Sequence, residues 1–186
     1  STYPNAKLVS ETLLFSSDAA QRGHFKAARL FHTFGAGYQQ KDGRSFADFL
    51  TSAAQGEPIR LYSSGVNERN FCYIEDSVVG LLMVLLSDSE QKIYDVGGEE
   101  RISIKRFAEI ISKAAKVELA FDYKEARGSR KEIQGDPPVP QLTPLKELGW
   151  RAEISVAQGV DRTLHALRAG RGSPIRTSPI PSVKEI

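Results

Sequence analysis

Apolar and polar positions along this chain switch repeatedly between a helical and an extended period, and each stretch predicts an element. Over residues 7–22, Leu8, Thr12 with Leu13, and Phe15 fall near helical spacing among good helix formers, ahead of Gly23. A helix therefore opens the chain. Residues 26–34 hold the compact apolar run 27–31 and end at Gly35-Ala36-Gly37, which predicts a buried strand entering a glycine turn. Residues 46–54 form an amphipathic helix behind the turn-like Lys41-Asp42-Gly43, and 58–62 a short strand. Residues 69–74 alternate as one strand, after which Asp76 is placed to N-cap an apolar, well-buried helix over 77–86.

The alternation continues with a strand at 93–96 closed by Gly97-Gly98, and with Ser103 capping a helix over 104–116. A further strand is expected at 117–123, then a loop rich in Gly, Pro and charge over 128–140. Thr143 is expected to cap a short helix with Pro144 at its first position, which Gly149 stops before Trp150. Residues 156–167 form the last helix, and the three prolines and two glycines of 170–181 predict a disordered tail. Strands alternating with helices predict an α/β fold, and no internal repeat is present.

Composition narrows the function classes. With 186 residues, 40% of them apolar and 26% charged, the chain can build a sizeable core as one ordinary domain or two small ones. Cys72 is its single cysteine, so an intrachain disulfide and a thiolate metal site are excluded; a reducing, cytoplasmic setting is expected, and no metal. The longest apolar stretch, 78–86, is about half of the roughly 20 residues that cross a bilayer, and the opening Ser-Thr-Tyr-Pro has no secretion-signal features. No membrane partner is expected. The net charge of +2 is carried by a tail, 167–186, with four basic residues against Glu185, which leaves the first 166 residues at −1. Nucleic-acid binding needs a basic face on the folded body and is not expected.

Tyr3 and Lys7 lie four residues apart in the first helix, which places them on one face about one turn apart. A phenol is a weak base at neutral pH, but a nearby ammonium favours the phenolate, so such a Tyr can exchange a proton with a substrate hydroxyl. Taken alone, the spacing is common enough to arise by chance.

Six blocks supply context: Tyr3-Pro-Asn-Ala-Lys7-Leu-Val-Ser-Glu11, Ala28-Arg-Leu-Phe-His-Thr-Phe-Gly35, Asp42-Gly-Arg-Ser-Phe46, Arg69-Asn-Phe-Cys-Tyr-Ile-Glu-Asp76, Tyr94-Asp-Val-Gly97 and Leu148-Gly-Trp150. In this order and spacing the chain resembles, over about residues 1–166, the extended short-chain dehydrogenases/reductases that modify nucleotide sugars. Within them, the run from His32 through Arg69 and Asp76 is most similar to UDP-glucuronate decarboxylases and related NAD-dependent epimerase/dehydratases. The resemblance implies the C-terminal part of a Rossmann-type doubly wound sheet plus a smaller α/β substrate-binding domain. Residues 1–40 would be the Rossmann remnant with the Tyr/Lys helix, and 41–166 mainly the nucleotide-sugar domain, with 77–100 returning to the sheet; 167–186 is the tail.

It further implies NAD as cofactor, a nucleotide sugar as substrate, and hydride transfer from a sugar carbon. Tyr3 would take the hydroxyl proton, while Lys7 would lower the phenol pKa and hydrogen-bond the nicotinamide ribose. Arg69 matches the arginine that reaches the diphosphate, a task suited to its fork. Arg44 and Phe46 fall where relatives hold the nucleotide base, although a loop arginine before a helix accounts for the pattern equally well. His32 falls near nicotinamide and substrate in relatives, and a hydrogen-bonded structural histidine is the equal alternative. Arg127 and Arg130 share the loop that supplies a second phosphate-binding arginine; Arg130 is carried as the candidate. Asp76, Asp136 and Trp150 read as structural. In relatives the Tyr/Lys helix packs in a dimer, so a homodimer is expected.

Departures shape the expectation. Neither Gly35-Ala-Gly37 nor Gly97-Gly98 has the glycine-rich fingerprint that binds NAD, and the Ser or Thr that completes the Tyr/Lys site is expected well upstream of Tyr3. Asn5 and Leu8 replace an acidic residue and an arginine common in decarboxylases, Ala36 replaces a frequent proline, and Gln141 stands near an expected Asp. The chain is therefore read as a C-terminal portion whose partner is an N-terminal NAD-binding half, and which alone neither binds NAD tightly nor turns over. The rival reading is a non-catalytic module of the same fold, binding a nucleotide diphosphate or serving oligomerisation.

Overall fold

The computed structural model describes residues 2–17, 25–38, 43–122 and 138–170, with the backbone alone for 2–4. The opening helix, α1 (Thr2–Ser16), begins before the apolar spacing does; the end expected near Arg22 lies outside the described residues. Its apolar residues do not gather into a stripe: Leu8, Val9 and Leu13 are each more than half exposed. The hydroxyls of Ser10, Thr12 and Ser16 return to carbonyls of α1 itself.

The apolar run 27–31 yields β1 (Ala27–Leu30), which pairs in parallel with β6 (Ile93–Val96), Arg29 standing opposite Asp95. The single strand expected over 26–34 is in fact two, because β2 (Thr33–Phe34) leaves this sheet to pair with β5 (Cys72–Tyr73). The strand expected over 69–74 divides for the same reason. Its first part, β4 (Glu68–Asn70), pairs antiparallel with β7 (Arg101–Ser103), so the chain changes sheets at Phe71. Phe71 anchors that change, stacked on Phe107 at 4.1 Å. A fourth pair joins β3 (Ile59–Leu61) and β8 (Leu119–Phe121) in parallel.

The larger core forms where α2 (Ser45–Gln55), α4 (Ile104–Ala115) and α6 (Val156–Arg168) pack together. Each contributes a stripe at helical spacing: Phe46, Leu50 and Ala53; Phe107, Ala108 and Ile111; Val156, Val160 and Leu164. Their ends follow local chemistry. Ser103 accepts from Arg106 N at 3.0 Å, and α6 opens with a Ser155/Gln158 capping box, at the spacing such a box requires. Gly56 closes α2 at φ 78°, a left-handed conformation that favours glycine.

A smaller core gathers Cys72, Val84, Tyr94, Val96, Leu145 and Trp150 beneath the β1–β6 pair. Here α3 (Ile74–Leu86) departs from expectation twice. It starts before residue 77, so Tyr73 holds the N-cap position and Asp76 lies inside the first turn. The Asp76 carboxylate instead accepts the backbone N–H groups of Glu153 and Ile154 at 3.3 and 3.0 Å. Nor is α3 well buried: Asp76, Ser77, Gly80 and Val84 face the core, while Leu85 and Leu86 remain 74% and 77% exposed. An apolar composition all round said nothing about how many faces would be covered. At the far end of α3, Lys26 Nζ donates to the carbonyls of Val84 and Ser87, closing the helix with a cation.

The short helix α5 (Thr143–Glu147) corrects a further expectation, since Leu142 rather than Thr143 holds its N-cap position, without a side-chain cap. Pro144 stands in its first turn and Gly149 follows at φ 92°. The loop expected over 128–140 falls largely outside the described residues, with Arg127, Arg130 and Asp136, as do residues 171–186 of the tail. Among the described residues, no helix is long and apolar enough to cross a membrane, and no group of three or more His, Cys, Asp or Glu is arranged to hold a metal.

Candidate functional site

Four of the residues singled out in the sequence meet in one cleft of about 180 Å³: His32, Arg44, Phe46 and Arg69. They arrive by three pieces of the fold. His32 lies between β1 and β2, and its carbonyl accepts from Cys72 N at 3.0 Å. Arg44 holds the extended N-cap position of α2, and Phe46 follows in the first turn with its ring buried. Arg69 sits in the middle of β4.

Among the described residues the cleft is lined by two guanidinium groups and by no carboxylate. The Arg44 guanidinium lies over the Phe46 ring at 4.6 Å, and Arg69 Nη1 donates to the Glu68 carbonyl at 2.7 Å. His32 packs edge-on to Phe71 at 5.8 Å. Burial first, then the Arg69 and Arg44 charges, push the imidazole down to about 4. His32 is thus neutral at physiological pH and presents one N–H donor and one acceptor. Two guanidinium groups beside a neutral imidazole form a site for a polyanion with polar groups attached, such as a phosphate ester.

Asn67 and Phe71 also line the cleft and were not singled out. Their signal was present: Asn67, Arg69 and Phe71 recur at every second residue, the period of one face of a strand. Ser45 and Ile104 enter by adjacency to Arg44 and to the cap residue Ser103, which the sequence does not relate to one another. A second cavity of about 390 Å³ lies on another face of α2, but Asp48 and Glu57 among its lining residues suit it poorly to a diphosphate.

Lys7 lies in α1, one turn beyond Tyr3, and is not among the described residues that line this cleft; the Tyr3 side chain lies outside the described residues, as does Arg130. α1 is joined to the sheet by Glu11, whose carboxylate accepts from Arg29 Nε and Nη2 at 2.9 and 2.6 Å.

A dinucleotide can be tested against these residues. In open α/β sheets ligands bind beyond the carboxyl ends of parallel strands, and His32 follows that end of β1 as Gly97-Gly98 follows that end of β6. The glycines themselves make no cradle. A Cβ on Gly98 would lie 1.9 Å from the Phe71 carbonyl oxygen, one on Gly97 2.8 Å from Phe31 Cβ, and one on Gly35 2.4 Å from Ile74 Cγ2. Protein fills each gap where a diphosphate would need open space. Among the described residues, Gly35, Gly97 and Gly98 therefore offer no open cradle for the diphosphate of a dinucleotide.

Known proteins are similar to this chain over most of its length. The chain is 30% identical over 171 residues to UDP-glucuronic acid decarboxylase 1 of Xenopus tropicalis, covering 89% of this chain and 38% of that one. It is 27% identical over 177 residues to UDP-glucuronic acid decarboxylase 6 of Arabidopsis thaliana, covering 94% and 50%. The chain thus spans half or less of the length of these curated relatives. Among solved structures it shares its fold with UDP-glucose 4-epimerase of Thermotoga maritima, at TM-score 0.75, 17% identity, and 90% and 53% coverage. RMD from Pseudomonas aeruginosa, complexed with NADPH, superposes at TM-score 0.76 with 23% identity, covering 90% and 56%. The profile of one family, described as the NAD dependent epimerase/dehydratase family, matches residues 1–97. With more than half its length matched, and with the α/β fold of the solved epimerases, this chain belongs to the NAD dependent epimerase/dehydratase family.

Proposed function

We propose that this chain carries the substrate side and the proton-transfer pair of an NAD-dependent nucleotide-sugar epimerase, dehydratase or decarboxylase. The observation that carries the reading is the meeting of Arg44, Phe46 and Arg69 with neutral His32 in a cleft that no carboxylate lines among the described residues. Arg69 and Arg44 hold the diphosphate, Phe46 offers an apolar wall to the base, and His32 faces the sugar or the nicotinamide. Arg130 is proposed as a second phosphate ligand. Bound NAD supplies the hydride acceptor. Tyr3 takes the proton of the sugar hydroxyl as hydride leaves the carbon, and the Lys7 ammonium, one turn along α1, stabilises the phenolate. The resulting ketone acidifies its neighbours, which opens epimerisation, elimination or decarboxylation.

The relatives' names favour UDP-glucuronic acid as substrate. Calorimetric titration of the chain with UDP and UDP-glucuronic acid tests the reading: saturable binding that Arg69→Ala weakens supports it, and equal heats for both proteins overturn it. That the described glycines Gly35, Gly97 and Gly98 give no open cradle for a dinucleotide's diphosphate favours a second reading, a module that binds the nucleotide sugar's diphosphate through the arginines without hydride chemistry. UDP binding without any turnover of UDP-glucuronic acid, in the protein complete with its dinucleotide-binding residues and NAD, would favour that module. A cytoplasmic homodimer joined through α1 belongs to the first reading, supported by exposed Leu8, Val9 and Leu13. A strict monomer by light scattering counts against it.

A further inference from the structure

Although α1 bears Tyr3 and Lys7, its apolar residues Leu8, Val9 and Leu13 face away from the core, and three of its hydroxyls bond back to its own turns. A charged contact joins this helix to the β1–β6 pair. Glu11 lies at the fourth position after Lys7, close to the stripe that Tyr3 and Lys7 begin. Its carboxylate receives both arms of the Arg29 fork at 2.9 and 2.6 Å, the planar two-point contact that fixes orientation as well as distance.

Arg29 is itself fixed. It stands in register opposite Asp95 of the parallel strand β6, so the two side chains share a face, with Nη1 4.0 Å from Asp95 Oδ1. That oxygen is buried and makes no hydrogen bond, while the other Asp95 oxygen accepts from Gln141 N at 2.8 Å. The guanidinium thus bridges a carboxylate of α1 and a buried carboxylate of the sheet.

We propose that Glu11 and Arg29, backed by Asp95, are positioning residues: a two-point clamp that sets the rotation and pitch of α1 on the β1–β6 pair and thereby aligns the helix bearing Tyr3 and Lys7 for proton transfer. The proposal rests on the reading of Tyr3 and Lys7 as the proton-transfer pair. It assigns a role to residues outside the cleft and outside that pair.

The test uses Glu11→Gln, which keeps shape and removes charge, and Arg29→Lys, which keeps charge and removes the fork. Backbone amide exchange across residues 5–13 of the chain is expected to quicken about fivefold in Glu11→Gln and by less in Arg29→Lys, with α2 amides unchanged. With NAD and UDP-glucuronic acid, in the enzyme complete with its dinucleotide-binding residues, Glu11→Gln is expected to lower kcat about tenfold or more while KM for the sugar nucleotide stays within about twofold. Arg29→Lys should recover part of kcat. Unchanged exchange in α1 overturns the clamp, and faster exchange with unchanged kcat overturns its positioning role. Should Tyr3→Phe keep full kcat, the underlying proton-transfer reading fails instead, whatever the exchange data show.

Discussion

The indole Nε1–H of Trp150 donates to the main-chain carbonyl of Asp76 at 2.9 Å, while the Asp76 carboxylate accepts two backbone N–H groups from the segment just beyond Trp150. One acidic residue in the first turn of α3 thus ties down the approach to α6. Asp76 is 5% exposed, so its loss leaves those donors unpaired in a dry setting. Asp76→Ala should lower the unfolding free energy by about 2–3 kcal/mol in denaturant titration. Asp76→Asn, which keeps one acceptor, should cost less.

Arg69 and Arg44 differ in what holds them. Arg69 stands in a paired strand, whereas Arg44 lies at a helix boundary over Phe46. Arg69→Ala should weaken UDP binding by about tenfold or more, the loss expected of a charge-assisted contact. Arg69→Lys should restore only part of it, because an ammonium lacks the fork. Arg44→Ala should weaken binding less and Phe46→Ala should destabilise the fold as well, since that ring is 3% exposed. Calorimetry paired with thermal melts separates the two effects.

The sign of the His32 shift sets a pH dependence. Its folded value lies near 4, below the ordinary imidazole value near 6.5, so the unfolded chain binds the proton more readily between them. The stability due to neutral His32 is fully present above about pH 6.5 and is lost as pH falls toward 4. His32→Gln should flatten that limb in denaturant titrations across this range. The His32 ring resonances should show no titration between pH 6 and 8; a midpoint near 6.5 would sink the assignment of a neutral imidazole.

Gly98 has an ordinary backbone conformation, and its requirement is for space. Its Cα abuts the Phe71 carbonyl, and its own carbonyl accepts from buried Asn70 Nδ2 at 2.9 Å. The main chain at Phe71 and Cys72 cannot yield cheaply, so Gly98→Ala should cost at least about 2 kcal/mol and reduce soluble yield. Gly37, with nothing near its Cβ direction, stands at φ 93°, and its substitution should cost about 1 kcal/mol through strain alone.

Calorimetry of the chain with NAD should show no micromolar binding, because Gly35, Gly97 and Gly98 are occupied by packing and no open cradle for a diphosphate is present among the described residues. Micromolar affinity would reject that reading.

Much of the candidate site was legible before any coordinates. His32, Arg44, Phe46 and Arg69 came from blocks widely separated in the chain, and they line one cleft. What escaped was Asn67, although it precedes Arg69 by one strand period, because 69–74 was read as one strand starting at Arg69. The break at Phe71 could not be read, since local alternation is the same whether a strand continues or changes partners. Asp76 shows the same limit: its type and place suit a cap, yet the donors that claim it lie 77 and 78 residues away.

Local chemistry decided the elements of this protein. Helical and extended periods, the Ser103 cap, the glycine stops and the block order of the family are all properties of near neighbours, whose geometry is set by short stretches of backbone. Long-range packing decided the rest: which strands pair, which face of α3 is covered, that four distant side chains share a cleft, and that Glu11 finds Arg29. Those outcomes depend on contacts between segments tens of residues apart, and a one-dimensional pattern does not specify which of many compatible partners will meet.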